Sequence, residues 1–171
     1  MIKIARSFLW NCLEKNLIYR RNFLKGGAYM AKAGDYYTIT LKKSHLNWGT
    51  HRYTGTREEI PGEGYIPIPR RVARQFDIVN SNATNGKDEL GKNIFYCTSA
   101  DDLVHGYLKA QGCSGKGDIY AKQFSFEGDL KELGSWFTDI GAVEGTVVKV
   151  SWSSSTEIQL SIIEDFSTLK K

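Results

Sequence analysis

Seven short β-type segments, with no β–α–β alternation between them, dominate this chain. The clearest two, 146–152 and 157–163, alternate apolar and polar residues and are joined by four small polar residues, which predicts a β-hairpin. The other predicted strands are 36–41, 65–69, 93–99, 104–111 and 118–124. Two prolines confine 65–69 to a sheet edge or a strand end. Because parallel sheets need crossover helices, the pattern favours a mostly antiparallel barrel or sandwich.

Two short helices are predicted within this β-rich chain. Pro69 favours helix entry for the segment 70–76. Asp129 is the predicted N-cap of the second helix, 129–137. The residues predicted to face the core on these helices are Val72, Ala73, Phe76, Leu130, Leu133, Trp136 and Phe137.

The composition fits one globular domain. The length of 171 residues, with 41% hydrophobic and 25% charged residues, is typical of a single folded domain. No run approaches the ~18 uninterrupted apolar residues of a membrane-spanning helix, so we expect no membrane partner. Cys12, Cys97 and Cys113 are too few and too scattered for a disulfide framework or a zinc site. We expect reduced, core-type thiols, a cytoplasmic protein and no cofactor.

Residues 1–29 differ from the rest of the chain in charge. They hold six basic residues and one acidic residue, a net charge of +5, so the remaining 17 basic and 18 acidic residues give 30–171 a net charge of −1. Three interpretations of this leader stay open: an amphipathic helix, a targeting peptide, or a segment outside the native protein, with Met30 as the true start. We predict that 30–171 forms the folded domain.

No catalytic motif is evident. The histidines His45, His51 and His105 lack the spacing of a metal site. Asp118 followed by the triplet at 129–131 (DLK) matches the letters of a nuclease signature, but that triplet opens a predicted helix instead of lying on a strand. We therefore expect no catalysis by this chain alone. A small nuclease with an unrecognised metal-dependent site remains an alternative.

Two polar segments carry the strongest functional signal. The first, 42–57, has four full positive charges, two histidines and no acidic residue, which suits a phosphate-lined groove. The second, 111–122, is rich in hydrogen-bond donors, has the single acid Asp118, and contains glycines that allow close backbone approach to a partner. A solvated loop and a flexible hairpin connection are the respective alternatives.

Five short motifs resemble one known domain. In chain order they are SHLNWG at 44–49, EGYIPIP at 63–69, GDIYAK at 117–122, LGSWF at 133–137 and GTVV at 145–148. Together they resemble the C-terminal specificity domain of type II restriction endonucleases whose catalytic half is a phospholipase-D-like nuclease. The resemblance covers roughly residues 36–163, and no nuclease half accompanies it in this sequence.

This resemblance implies a DNA-binding fold of the plant B-three type: a seven-stranded open pseudobarrel with two short helices at its ends. Two arms, between the first two strands and between the fourth and fifth, would enter the major groove and read base edges. Carried onto this sequence, the first arm is 44–57 and the second is 112–122, within the segments already singled out by charge and donors. We expect both arms on the same side of the barrel.

The expected function is sequence-specific binding of double-stranded DNA, in restriction-modification or another defence system, with a separate nuclease subunit. A protein-interaction or inhibitor module is a further alternative. Trp48 is expected to hold the first arm's shape, and Asp118 to accept from a cytosine amino group. The three arginines of the first predicted helix, Arg70, Arg71 and Arg74, are either phosphate contacts or a solvated helix face. The residues expected to bind DNA are Lys42, Lys43, Ser44, Asn47, Trp48, His51, Arg52, Thr54, Arg57, Gln111, Ser114, Lys116, Asp118, Tyr120 and Lys122.

Overall fold

In the computed structural model, the described residues, 28–51, 58–84, 87–113 and 118–163, form seven β-strands and four short α-helices. All but the last two residues of the predicted leader lie outside these ranges. In chain order the elements are β1 (Tyr36–Thr40), α1 (Lys43–Leu46), α2 (Trp48–His51), β2 (Ile66–Pro67), α3 (Arg70–Gln75), a 3-10 turn (Ser81–Ala83), β3 (Ile94–Ser99), β4 (His105–Gln111), β5 (Gln123–Phe126), α4 (Glu132–Asp139), β6 (Val147–Trp152) and β7 (Glu157–Ile163).

The seven strands form one sheet that curls into a nearly closed barrel. The order β1-β6-β7-β3-β4-β5-β2 leaves β1 and β2 as the two edges. Neighbouring strands are antiparallel except β3 and β7, which run parallel. The edges are joined by a side chain, since the buried Tyr37 hydroxyl in β1 donates to the Pro67 carbonyl in β2 at 3.1 Å. The predicted mostly β pseudobarrel is confirmed.

The directions of the paired strands show at which end of the barrel each connection between strands lies. The connections 41–65, 100–104 and 127–146 lie at one end, called here the first end. The connections 68–93, 112–122 and 153–156 lie at the opposite end, the second end. Each end therefore carries one of the two proposed arms and one of the longer helices, α4 at the first end and α3 at the second.

Aromatic side chains fill the barrel. Phe95 lies edge-on to Phe124 and Trp152, with ring centroids 5.6 and 6.2 Å apart, and Trp152 also contacts Phe76 at 5.1 Å. All four are at least 95% buried. Phe76 follows α3 directly, so this helix packs onto the core from the second end. The buried residues of α4 extend the same core at the first end.

Several local predictions match the structure closely. The hairpin of β6 and β7 pairs along its whole length, from Val147 opposite Ile163 to Trp152 opposite Ile158. The proline-containing segment 65–69 supplies the edge strand β2, as its missing N–H donors require. On the predicted helices, Val72, Ala73, Phe76, Leu133, Trp136 and Phe137 are buried, and Leu130 is half-buried.

The predicted strand at 118–124 is wrong in position. The observed strand β5 begins only at Gln123, because residues before it pair with a different part of the chain. Asn80 donates its N–H to the Ile119 carbonyl at 2.8 Å, and Ala121 donates to the Ile78 carbonyl at 3.0 Å. A non-local partner therefore takes the hydrogen bonds that a longer β4–β5 ladder would have used.

Other local predictions also need correction. The second helix begins at Glu132, and the Asp129 carboxylate accepts the Lys131 N–H at 2.8 Å in the turn before it. The described chain has four α-helices instead of two, because α1 and α2 lie inside the polar segment 42–57, for which no helix was predicted. Of the supposed core thiols, Cys97 is buried, Cys113 is exposed, and Cys12 lies outside the described residues.

Candidate nucleic-acid interface

The two arms leave the barrel at opposite ends but return into adjacent strands. The first arm, taken from here on as the whole connection 41–65, enters β2, and the second arm enters β5. These two strands pair antiparallel with Ile66 opposite Phe124. Ile68 continues the pairing by donating its N–H to the Lys122 carbonyl at 2.8 Å. The expectation of both arms on the same side of the barrel therefore needs correction: they leave opposite ends of the barrel, and what they share is the strip of wall between them.

The length of this shared strip sets the spacing of the arms. Tyr65 ends the first arm and Lys122 ends the second, and the register places them three residue positions apart. At ~3.3 Å per residue, the arms enter the sheet about 10 Å apart. The major groove of B-DNA is ~12 Å wide. Between the arms, Gln123 lies on the opposite face of β5 from the buried Phe124, where it is half-buried and its side-chain amide donates to Ser125 Oγ at 3.4 Å. This glutamine was absent from the sequence prediction and shares the strip.

The first arm contains two consecutive single-turn helices, α1 and α2. Trp48 donates its backbone N–H to the Glu63 carbonyl at 2.6 Å, and its ring lies edge-on to Tyr65 at 5.3 Å. Gly49 allows the two sides of the arm to meet, because a Cβ there would lie 1.7 Å from the Ile60 carbonyl oxygen. Trp48 therefore packs within the arm, and its indole ring contributes to the arm's shape.

The polar residues of the first arm are used partly within it. The Asn47 side-chain oxygen accepts the Gly62 N–H at 3.3 Å, and its backbone carbonyl lies 3.0 Å from His51 Nδ1. Ser44 hydrogen-bonds to the Tyr65 side chain. Lys42 and Lys43 are exposed, and Lys43 forms a long 4.0 Å ion pair with Glu144. The three remaining expected contacts lie outside the described residues: Arg52, Thr54 and Arg57.

A buried histidine supports the start of the first arm. His45 Nδ1 accepts the Lys42 N–H at 3.1 Å, and its ring packs edge-on against Tyr65 at 5.2 Å. Burial, followed by the positive charge of Lys42, lowers the pKa of His45 below its ordinary value. The imidazole is therefore neutral in the folded chain at neutral pH, as an accepting Nδ1 requires.

We expect the folded chain to lose stability as the pH falls below 6.5, the ordinary pKa of histidine. The lowered pKa keeps His45 neutral in the folded chain, whereas the unfolded chain takes up a proton near pH 6.5, so acid favours unfolding. The variant His45→Asn keeps an acceptor for the Lys42 N–H but does not titrate. Urea unfolding measured between about pH 7.5 and 5 should show that the free energy of unfolding falls more steeply with acid in the wild type than in the variant. Parallel profiles would contradict the prediction.

The second arm carries an internal ion pair and an aromatic ring. Asp118 lies 3.4 Å from Lys122, four residues later. Desolvation acts to raise the pKa of the Asp118 carboxyl, but Lys122 and the charge of Arg70 hold it below its ordinary value. Gln111 is half-buried at the end of β4 and Tyr120 is half-buried, while Ser114 and Lys116 lie outside the described residues.

Helix α3 adds cationic side chains to the second arm. The Arg74 guanidinium lies 5.9 Å from the centre of the Tyr120 ring, a cation–π distance. Arg70 lies close enough to Asp118 to lower its pKa. Arg70, Arg71 and Arg74 are all exposed. The sequence offered two interpretations of these arginines, and the fold places two of them beside the second arm.

Charge is distributed unequally between the two ends of the barrel. Among the described residues, the first-end connections carry three basic and ten acidic residues, a net charge of −7. The second-end connections together with 28–35, which precedes β1 at that end, carry seven basic and five acidic residues, a net charge of +2. The acid-free run of the first arm is followed at once by exposed Glu58 and Glu59. A polyanion would therefore be attracted mainly to α3 and the second arm.

The nuclease signature considered from the sequence is not assembled in the fold. Asp118 lies before β5 at the second end, whereas Asp129 and Lys131 follow β5 at the first end. In the described ranges, no group of three His, Cys, Asp or Glu residues is arranged to hold a metal ion. The three residues of the signature therefore do not form one site.

Comparison with known proteins found no relative of this chain. Neither a family model, nor a curated protein, nor a solved structure matches this chain. Among the described helices, none combines the length and the apolar character that a bilayer crossing demands.

Proposed function

We propose that this chain is a sequence-specific, double-stranded DNA-binding module without a nuclease site of its own. The observation that carries the proposal is the grouping of Arg70, Arg74 and Lys122 around the second arm, beside the strip of wall that both arms flank. Guanidinium and ammonium groups on one surface match the charge of a phosphate backbone. The ~10 Å between the arm bases is comparable to the width of a major groove.

The two arms take different parts in this proposal. The second arm and α3 supply most of the backbone contacts, because the positive charge of the described residues is concentrated there. The first arm supplies base readout, through Asn47, His51 and the arginines at 52 and 57. Gln123, on the wall between the arms, joins the base-reading set. Asp118 serves here mainly to orient Lys122, in addition to the contact with cytosine suggested by the sequence.

The biological setting follows from the sequence resemblance alone. We infer a cytoplasmic module of restriction or another defence system, acting with a separate nuclease subunit. Double-stranded DNA is the proposed partner. This setting is independent of the charge argument, so DNA binding can be tested first and by itself.

Selection from a pool of random duplexes, followed by sequencing, tests the proposal. The purified chain should enrich one short motif, and binding to that motif should weaken steeply with added salt. A scrambled duplex of the same length is the matched control and should bind far more weakly. Failure to enrich any motif, or binding that is equal for selected and scrambled duplexes, would refute sequence-specific recognition.

A further inference from the structure

The second arm is attached at both of its ends to a single neighbouring turn. Where the chain leaves β4, the Gly112 carbonyl accepts a hydrogen bond from the Asn82 side-chain amide at 2.8 Å. Where the chain returns, the Asp118 carbonyl accepts from the Asn80 side-chain amide at 3.1 Å. Neither asparagine belongs to the arm, because both lie in or next to the 3-10 turn Ser81–Ala83.

The two asparagines are held in place by hydrogen bonds of their own. Asn80 is fully buried, its side-chain oxygen accepts the Asn82 N–H at 3.0 Å, and its own N–H donates to the Ile119 carbonyl at 2.8 Å. The fit against Gly112 is tight, since a Cβ there would lie 3.1 Å from the Asn80 amide nitrogen. The turn therefore fixes the positions of two backbone carbonyl groups of the second arm, those of Gly112 and Asp118.

We propose that Asn80 and Asn82 are positioning residues, which hold the second arm in the geometry that reads DNA. The proposal rests on the DNA-binding function proposed above. An arm held at both ends before binding loses less conformational entropy when it binds. Because the asparagine amides are directed at the arm backbone, their effect falls on sequence discrimination, not on the salt-dependent attraction to phosphates.

The variant Asn82→Ala tests this assignment, with Thr84→Ala as its matched control. Thr84 stabilises the same turn by donating to the Ser81 carbonyl at 2.8 Å, but this bond does not reach the arm. Loss of one hydrogen bond corresponds to about a three- to tenfold weaker affinity of Asn82→Ala for the selected duplex. Its affinity for a scrambled duplex and its salt dependence should stay unchanged, and Thr84→Ala should bind like the wild type.

A spin label on Cys113, next to Gly112, gives a readout that needs no DNA. Cys97 stays unlabelled because burial raises its pKa to about 12, and Cys12→Ser removes the third thiol. We expect a mobile label in Asn82→Ala and a restrained one in the wild type and in Thr84→Ala. This readout separates the two proposals: it tests the attachment of the arm even if no duplex binds.

Three results would overturn the assignment. An unchanged label spectrum in Asn82→Ala would mean that its amide does not hold the arm. A mobile label combined with an unchanged preference for the selected duplex would mean that the arm geometry does not matter for reading. Equal losses in Asn82→Ala and Thr84→Ala, or a parallel loss of affinity for scrambled DNA, would assign the effect to the turn or to a direct phosphate contact.

Discussion

Gly134→Ala will lower the free energy of unfolding by about 2 kcal/mol, although alanine is the better helix former. A Cβ at Gly134 would lie 1.9 Å from the Gly62 carbonyl oxygen, and a Cβ at Gly64 would lie 2.7 Å from the Gly134 nitrogen. Backbone therefore faces backbone where α4 meets the first arm. A clash costs up to about 3 kcal/mol, against about 1 kcal/mol gained in helix propensity.

Ser135→Ala is the matched control for this prediction. Ser135 is the next residue of α4 and is exposed, so its replacement by alanine changes helix propensity without a clash. A loss of about 2 kcal/mol corresponds to a melting temperature roughly 4–8 °C lower in a chain of this size, measurable by thermal unfolding. If Gly134→Ala melted with or above Ser135→Ala, the close approach of α4 and the first arm would be wrong.

Arg74→Ala is expected to weaken binding to all duplexes by roughly five- to thirtyfold, corresponding to about 1–2 kcal/mol. Arg74 lies over the Tyr120 ring, so the variant lacks both the proposed phosphate contact and a side chain packed against the second arm. The slope of log affinity against log salt should decrease by about one, as expected for one fewer neutralised phosphate. Fluorescence anisotropy at several salt concentrations measures both quantities.

Lys131→Ala provides the control for charge alone. Lys131 is exposed just before α4 at the first end, where the net charge of the described residues is negative, and it should not contact DNA. Its removal changes the net charge of the chain as much as Arg74→Ala does, but should leave the salt slope unchanged. The same loss in both variants would mean that DNA binding follows overall charge and that α3 is not the phosphate-binding surface.

Arg74→Lys separates the two contributions of the arginine. Lysine keeps the charge but lacks the planar guanidinium that stacks on Tyr120. The salt slope should then return to the wild-type value, while the affinity for duplexes recovers only in part. Full recovery of the affinity would show that the stacked geometry is unimportant.

Local sequence pattern was sufficient where an element interacts mainly with its immediate neighbours in the chain. The hairpin of β6 and β7 follows from strict alternation on both sides of a short polar turn, and the observed register agrees. The edge position of β2 follows from proline chemistry, since Pro67 has no N–H to donate to a further strand. The buried faces of α3 and α4 follow from helical spacing.

The same reasoning failed where distant segments compete for one set of hydrogen bonds. The segment before β5 has the composition of a strand, yet its backbone forms hydrogen bonds with the distant residues Asn80 and Ile78. The exposure of Cys113 also depends on where the second arm leaves the sheet. The polar segment 42–57 contains two helical turns that its local pattern does not predict, because they pack against Glu63 and Tyr65, which lie beyond it in the chain.

The sequence by itself determined the β-rich class, the hairpin of β6 and β7, the edge position of the proline-containing strand β2 and the two polar segments. All of these depend on residues close together in the chain. Only the tertiary structure decided that the arms leave opposite ends of the barrel and flank one short strip of wall. It alone brought Arg74 onto Tyr120 and the turn at Ser81–Ala83 against the second arm. These juxtapositions join residues some 30 to 46 positions apart, and strand pairing across the whole sheet selects them, so no local pattern encodes them.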